Sequence, residues 1–81
     1  MRVTVRLFAR LRDIAGSSEL DRELPDGATA SVLWDSLATE FTELAGYRAA
    51  VSTAVNEEYA KMDHTLSDGD EVAFLPPVSG G

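Results

Sequence analysis

Asp68-Gly69-Asp70-Glu71-Val72-Ala73-Phe74-Leu75-Pro76-Pro77-Val78-Ser79-Gly80-Gly81 ends the 81-residue chain, and the strand inside it decides how the rest is arranged. Asp68-Gly69 is turn chemistry, because glycine accepts positive φ and aspartate hydrogen-bonds its own local backbone. Val72 to Leu75 form a short apolar strand, with Val72 and Phe74 on one face and Ala73 and Leu75 on the other. Pro76 and Pro77 stop it, since neither can donate to a sheet ladder and both hold φ in the extended range. Residues 76–81 then read as a flexible tail, able to span about 20 Å at roughly 3.3–3.6 Å per residue. Gly80 and Gly81 lack side chains, so the final carboxylate is unhindered and the backbone could thread a narrow channel. The plainer alternative is an inert tail ending in two small residues.

Upstream, Arg2 to Phe8 alternates, with Val3, Val5 and Leu7 on one face and Arg2, Thr4, Arg6 and Phe8 on the other, the pattern of a half-buried strand. Phe8 therefore falls on the polar side, either covered by a local segment or open to a partner. Ala9 to Ser18 reads as a loop that begins with a short helical turn. Glu19 to Leu24 places Leu20, Arg22 and Leu24 on alternate positions before the Pro25-Asp26-Gly27 turn, and its charges suit an edge strand antiparallel to the first.

Thr29 can cap a helix whose stripe is Leu33, Leu37 and Phe41 with Val32 beside them. Trp34 lies next to that stripe as a partly buried packing residue, and Asp35, Glu40 and Glu43 belong to the solvated face. Gly46 marks a loop after the helix. Val51, Thr53 and Val55 share a face of a third strand, and Asn56-Glu57 turns into a short fourth around Tyr59-Ala60-Lys61. The order hairpin, helix, two short strands, final strand predicts an α+β fold over residues 1–75. Its economical form is a β-grasp, a mixed sheet of four to five strands with one main helix packed across it and the last strand parallel beside the first.

Composition narrows the functions. A chain of 81 residues with 44% hydrophobic and 26% charged residues buries about 60 to 65% of its unfolded surface, enough for one modest core and not for a deep catalytic cleft. Fourteen acidic against seven basic residues give a formal charge of -7, which repels nucleic acid and anionic membranes and either favours a basic protein partner or serves solubility alone. The chain has no cysteine, excluding disulfides, thiolate metal sites and side-chain persulfides. Neither a signal peptide nor a membrane-length apolar run is present, so the expected location is cytoplasmic. His64 is the only histidine and reads as a turn residue, leaving no metal set and no nucleophile–base pair. Asp68 with Asp70 and Glu57 with Glu58 read as solvated turn charges. Without a Walker motif, no ATP site is expected here.

Leu66 to Gly81, with its strand, prolines and terminal glycine pair, resembles the small, sulfur-carrying subunits of molybdopterin synthases, the MoaD/ThiS-like family of ubiquitin-like β-grasp proteins. Phe8-Ala9-Arg10-Leu11-Arg12-Asp13 and Ala54-Val55-Asn56 extend the likeness over essentially the whole chain. The resemblance implies a chain that binds no cofactor and is not an enzyme alone. An E1-like adenylating enzyme (MoeB-like) would use ATP to adenylate Gly81, and a sulfur donor would displace AMP to leave a thiocarboxylate. The large subunit of molybdopterin synthase (MoaE-like) would receive the tail through Pro76, Pro77, Ser79 and Gly80, in a heterotetramer, and let the sulfur attack a cyclic pyranopterin precursor. The same sheet face would meet both partners, which makes Phe8, Tyr59 and Leu75 candidate anchors, although the family suggests a second aromatic where Leu75 stands. Arg12 matches an arginine thought to contact the large subunit. A related carrier for thiamine or cysteine synthesis, a ubiquitin-like protein modifier and a plain interaction domain stay open as alternatives.

Overall fold

The computed structural model describes residues 1–77. The alternation at the start of the chain becomes β1 (Arg2–Leu7), which buries Val3, Val5 and Leu7. β2 (Glu19–Glu23) pairs antiparallel with it, Val5 opposite Leu20 and Val3 opposite Arg22, so Leu20 and Arg22 share the inner face. At the chain's end, β5 (Glu71–Leu75) runs parallel to β1, with Val5 level with Val72 and Leu7 with Phe74. Its other edge takes β3 (Ser52–Val55), antiparallel, and β4 (Glu58–Ala60) completes the order β2-β1-β5-β3-β4. This is the five-stranded mixed β-grasp sheet, with the first and last strands adjacent near its middle.

Turn chemistry fixes the connections. Gly27 and Gly69 take φ of 86° and 87°, values that glycine adopts without a Cβ clash. Asn56 and Glu57 both lie at positive φ, 51° and 71°, the two-residue hairpin geometry whose twist matches that of its strands.

α1 (Ala9–Ala15) replaces the expected loop after β1. Only Leu11 is buried on it, and it ends at Gly16, whose N–H donates to the Arg12 carbonyl from φ 75°. The glycine is a standard left-handed helix stop, but seven residues are too few for a helical period to stand out.

α2 (Ala30–Glu40) starts at Thr29, whose Oγ1 accepts from the Val32 N–H at 3.3 Å. Its buried residues are Ala30, Leu33, Trp34 and Leu37, an i, i+3, i+4, i+7 stripe. The expected stripe is thus rotated. Val32 is exposed, Trp34 is fully rather than partly buried, and Phe41 is the half-buried C-cap. A 3-10 helix (Thr42–Tyr47) follows at once, taking in Gly46 where a loop was expected and burying Leu44.

The helices and the inner sheet face close one core, in which the Trp34 and Phe74 rings meet edge-on with centroids 5.0 Å apart. The Trp34 Nε1 is buried with no hydrogen-bond partner among the described residues. Such an orphan costs about 1–3 kcal/mol, whereas burying an indole of roughly 200 Å² contributes about 5 kcal/mol at ~25 cal/mol per Å². Packing wins, which is why the ring sits inside. Among the described residues no helix is long and apolar enough to cross a membrane.

Candidate docking groove beside the chain end

The outer sheet face, turned away from α2, carries the candidate anchors. Pairing sets one row straight across it: Arg6 on β1 beside Ala73 on β5, then Ala54 on β3, then Tyr59 on β4. The two alanines at the centre project only methyl groups, while both flanks carry long side chains. A groove of about 290 Å³ results, lined by Arg6, Phe8, Ala54, Glu57, Tyr59, Glu71, Ala73 and Leu75.

Strand direction gives the groove two unlike ends. Phe8 follows Leu7, which pairs with Phe74, so it lies toward Leu75. The β3–β4 turn carrying Glu57 follows Val55, which pairs with Val72, so Glu57 lies toward Glu71. One end is apolar and the other acidic.

Phe8 is the extended residue between β1 and α1, φ -124° and ψ 153°, so it continues the strand's alternation and turns outward. The residue is 38% exposed, partly covered and partly open. The Arg6 guanidinium lies 5.7 Å from the Phe8 ring centroid and 3.8 Å from the Glu71 carboxylate. Both partners of that ion pair are well exposed, so it orients the wall more than it stabilises the fold. Tyr59 is 82% exposed, far more open than Phe8. Leu75 and Pro76 are half-buried and Pro77 is exposed.

Phe8, Tyr59 and Leu75 therefore share one groove, with Pro76 and Pro77 leaving it at the Leu75 end. Arg12 is not among the lining residues. It lies on α1 with its Nε 3.7 Å from Asp13 Oδ1, while Arg10 pairs with Glu43 at 3.2 Å. Ser79, Gly80 and Gly81, and with them most of the expected tail, lie outside the described residues.

His64 is exposed on a turn and its N–H donates to the Lys61 carbonyl at 3.0 Å. The turn carboxylates have structural work that sequence reading missed: Asp68 accepts from the Arg2 N–H at 2.7 Å, and Asp70 accepts from the Ser67 N–H at 2.8 Å and from the Asn56 side chain at 2.9 Å. No group of three or more His, Cys, Asp or Glu is placed to hold a metal ion among the described residues.

The ThiS family pattern matches residues 5–81, nearly the whole chain. The chain belongs to the ThiS family. A relative from Arabidopsis thaliana named molybdopterin synthase sulfur carrier subunit is 38% identical over 79 residues, covering 98% of this chain and 82% of its own. The Escherichia coli K12 protein of the same name is 36% identical over 83 residues, covering 98% and 99%. Among solved structures, SAMP1 of Haloferax volcanii has a TM-score of 0.85 at 28% identity over the full length of both chains. For this ThiS-family member, the match takes in both the groove residues from Arg6 onward and the terminal glycines.

Proposed function

We propose that this protein is the sulfur-carrier subunit of a molybdopterin synthase, docking through the outer-face groove and presenting the Gly81 carboxylate as its reactive group. The observation that carries the reading is the continuity between them. β5 contributes Ala73 and Leu75 to the groove and then runs directly into Pro76-Pro77. A partner that grips the groove thereby fixes where the last residues start. Four residues beyond Pro77, Gly81 can lie no farther than roughly 14 Å from it, at about 3.3–3.6 Å per residue. The full-length relatives named as sulfur carrier subunits support the same reading.

A carboxylate is a poor electrophile, because attack must push charge onto oxygens that are already negative. In adenylation by an E1-like partner the Gly81 carboxylate attacks the α-phosphate of ATP and pyrophosphate leaves, so that the carboxyl carbon carries AMP as its leaving group in place of oxide. A sulfur donor then displaces AMP and leaves the thiocarboxylate on Gly81. The large subunit receives the tail and supplies the side chains that activate the pyranopterin precursor; the sulfur attacks a precursor carbon and displaces an oxygen leaving group, and water then hydrolyses the resulting thioester, leaving the sulfur on the product and returning the Gly81 carboxylate. This chain supplies reactant and fit, binds neither ATP nor the sulfur donor, and works in the cytoplasm. Alone it has no activity.

Likeness to SAMP1, whose full name is small archaeal modifier protein 1, favours one second reading, attachment of this chain's C-terminus to protein amines. Reconstitution separates the two. With adenylating enzyme, ATP, a sulfur donor, large subunit and precursor, the carrier reading predicts molybdopterin formation that requires Gly80 and Gly81. Absence of that product, with a ladder of amide conjugates in its place, would establish the modifier instead.

A further inference from the structure

Three non-glycine residues take positive φ among the described residues, and all three flank the groove. Ala9 (φ 50°) follows Phe8 on one wall, and Asn56 (φ 51°) and Glu57 (φ 71°) shape the other. Left-handed backbone costs a non-glycine residue about 1–2 kcal/mol, least for asparagine, and persists only where neighbouring contacts hold it.

At the Tyr59 wall those contacts come from one side chain. Asn56 Nδ2 donates to Asp70 Oδ1 at 2.9 Å, and Asn56 Oδ1 accepts from the Glu71 N–H at 3.0 Å. Its backbone N–H adds a bond to the Glu71 carbonyl at 2.8 Å. The other oxygen of Asp70 is held by the Ser67 N–H, so the partner of the amide is itself fixed. The Asn56 side chain thus bolts the β3–β4 turn to the start of β5, across the acidic end of the groove. Tyr59, three residues on and 82% exposed, takes its place chiefly from the backbone beneath it, and that backbone is what the bolt holds.

We infer that Asn56 is a positioning residue for docking: it touches no partner, and it holds the Glu57–Tyr59 wall in the geometry that a partner's segment meets. The inference rests on the reading of the groove as the docking site. Pre-set walls matter because ordering a loose hairpin on binding would subtract from affinity.

A double-mutant cycle tests it, using calorimetric titration of the full chain against the large subunit of the synthase, with thermal melts of every variant. Asn56→Gly keeps access to positive φ and removes the amide. It is expected to weaken binding about tenfold in the wild-type background and less than about twofold in a Tyr59→Ala background, since the two residues act as one unit. Asp70→Ala leaves the Asn56 Oδ1 acceptor paired with the Glu71 N–H and removes the partner of its Nδ2 donor. It should show a smaller loss, about threefold, again absent with Tyr59→Ala, and it carries the cycle if Asn56→Gly proves unfolded. Equal losses in both backgrounds, as general destabilisation would give, overturn the inference, and so does no loss in either. If wild-type protein fails to bind, or Tyr59→Ala leaves binding intact, the docking reading itself falls and this inference with it. If Tyr59→Ala weakens binding while the Asn56 effect is merely additive, only the inference falls.

Discussion

Truncating the two aromatic walls of the groove should separate docking from folding, and in opposite proportions. Tyr59 is 82% exposed and Phe8 38%. Taking about 200 Å² for each aromatic side chain, Tyr59 has roughly 160 Å² left to bury against a partner and Phe8 roughly 75 Å². At ~25 cal/mol per Å² these areas set ceilings of about 4 and about 2 kcal/mol. Association realises only part of such a ceiling. If half is realised, Tyr59→Ala weakens binding by about 2 kcal/mol, roughly 30-fold, and Phe8→Ala by about 1 kcal/mol, roughly fivefold. Stability runs the other way. Phe8 already buries about 125 Å² in the fold, worth about 3 kcal/mol, against less than ~1 kcal/mol for Tyr59. A chain of this length holds only about 4–12 kcal/mol in total. Calorimetric titration against the large subunit, paired with urea melts, reads both quantities. Should Phe8→Ala impair binding more than Tyr59→Ala while leaving the melt unchanged, exposure does not set what each ring contributes.

Glu57→Gly should raise stability by about 0.5–1 kcal/mol in a thermal melt, because relief of the left-handed residue outweighs the added freedom of the unfolded chain. Phe74→Ala, which removes the ring packed on Trp34, should cost about 3–5 kcal/mol in urea denaturation, enough to leave the chain marginal. Removing Gly80 and Gly81 should abolish sulfur transfer in the reconstituted synthase. The same deletion should shift stability by less than about 0.5 kcal/mol, since the core closes within residues Val3 to Phe74.

Local chemistry carried most of the fold. Alternation in β1, the glycines at Gly27 and Gly69, the Thr29 cap and the Asn56-Glu57 turn each act within a few residues, and each stands where the pattern places it. The strand order followed because a short final apolar strand needs two neighbours to bury it. What local pattern could not carry was phase and distance. The α2 stripe reads differently according to whether Ala30 counts as apolar. With it, Trp34 falls one turn on and faces inward, while Val32 turns out. α1 was hidden because a seven-residue helix with a single buried residue has no period to read.

The docking groove was half legible. Phe8 and Leu75 could be placed on one face from alternation once β1 and β5 were paired, and Tyr59 followed from the hairpin. That these walls enclose a groove depends on Ala54 lying opposite Ala73, a pairing set by register alone. Asn56 reads in sequence as a turn residue and nothing more. Its partners lie 14 and 15 residues away, beyond any local signal.

In the proposed function the chain's own terminal carboxylate, and no side chain, carries the sulfur. Intact mass of the protein after incubation with the adenylating enzyme, ATP and a sulfur donor tests it most directly, with fragmentation to locate the change. The expected result is a single exchange of one oxygen for one sulfur, confined to Gly81 and lost when Gly80 and Gly81 are removed. An unchanged mass, or sulfur located anywhere else in the chain, would contradict it.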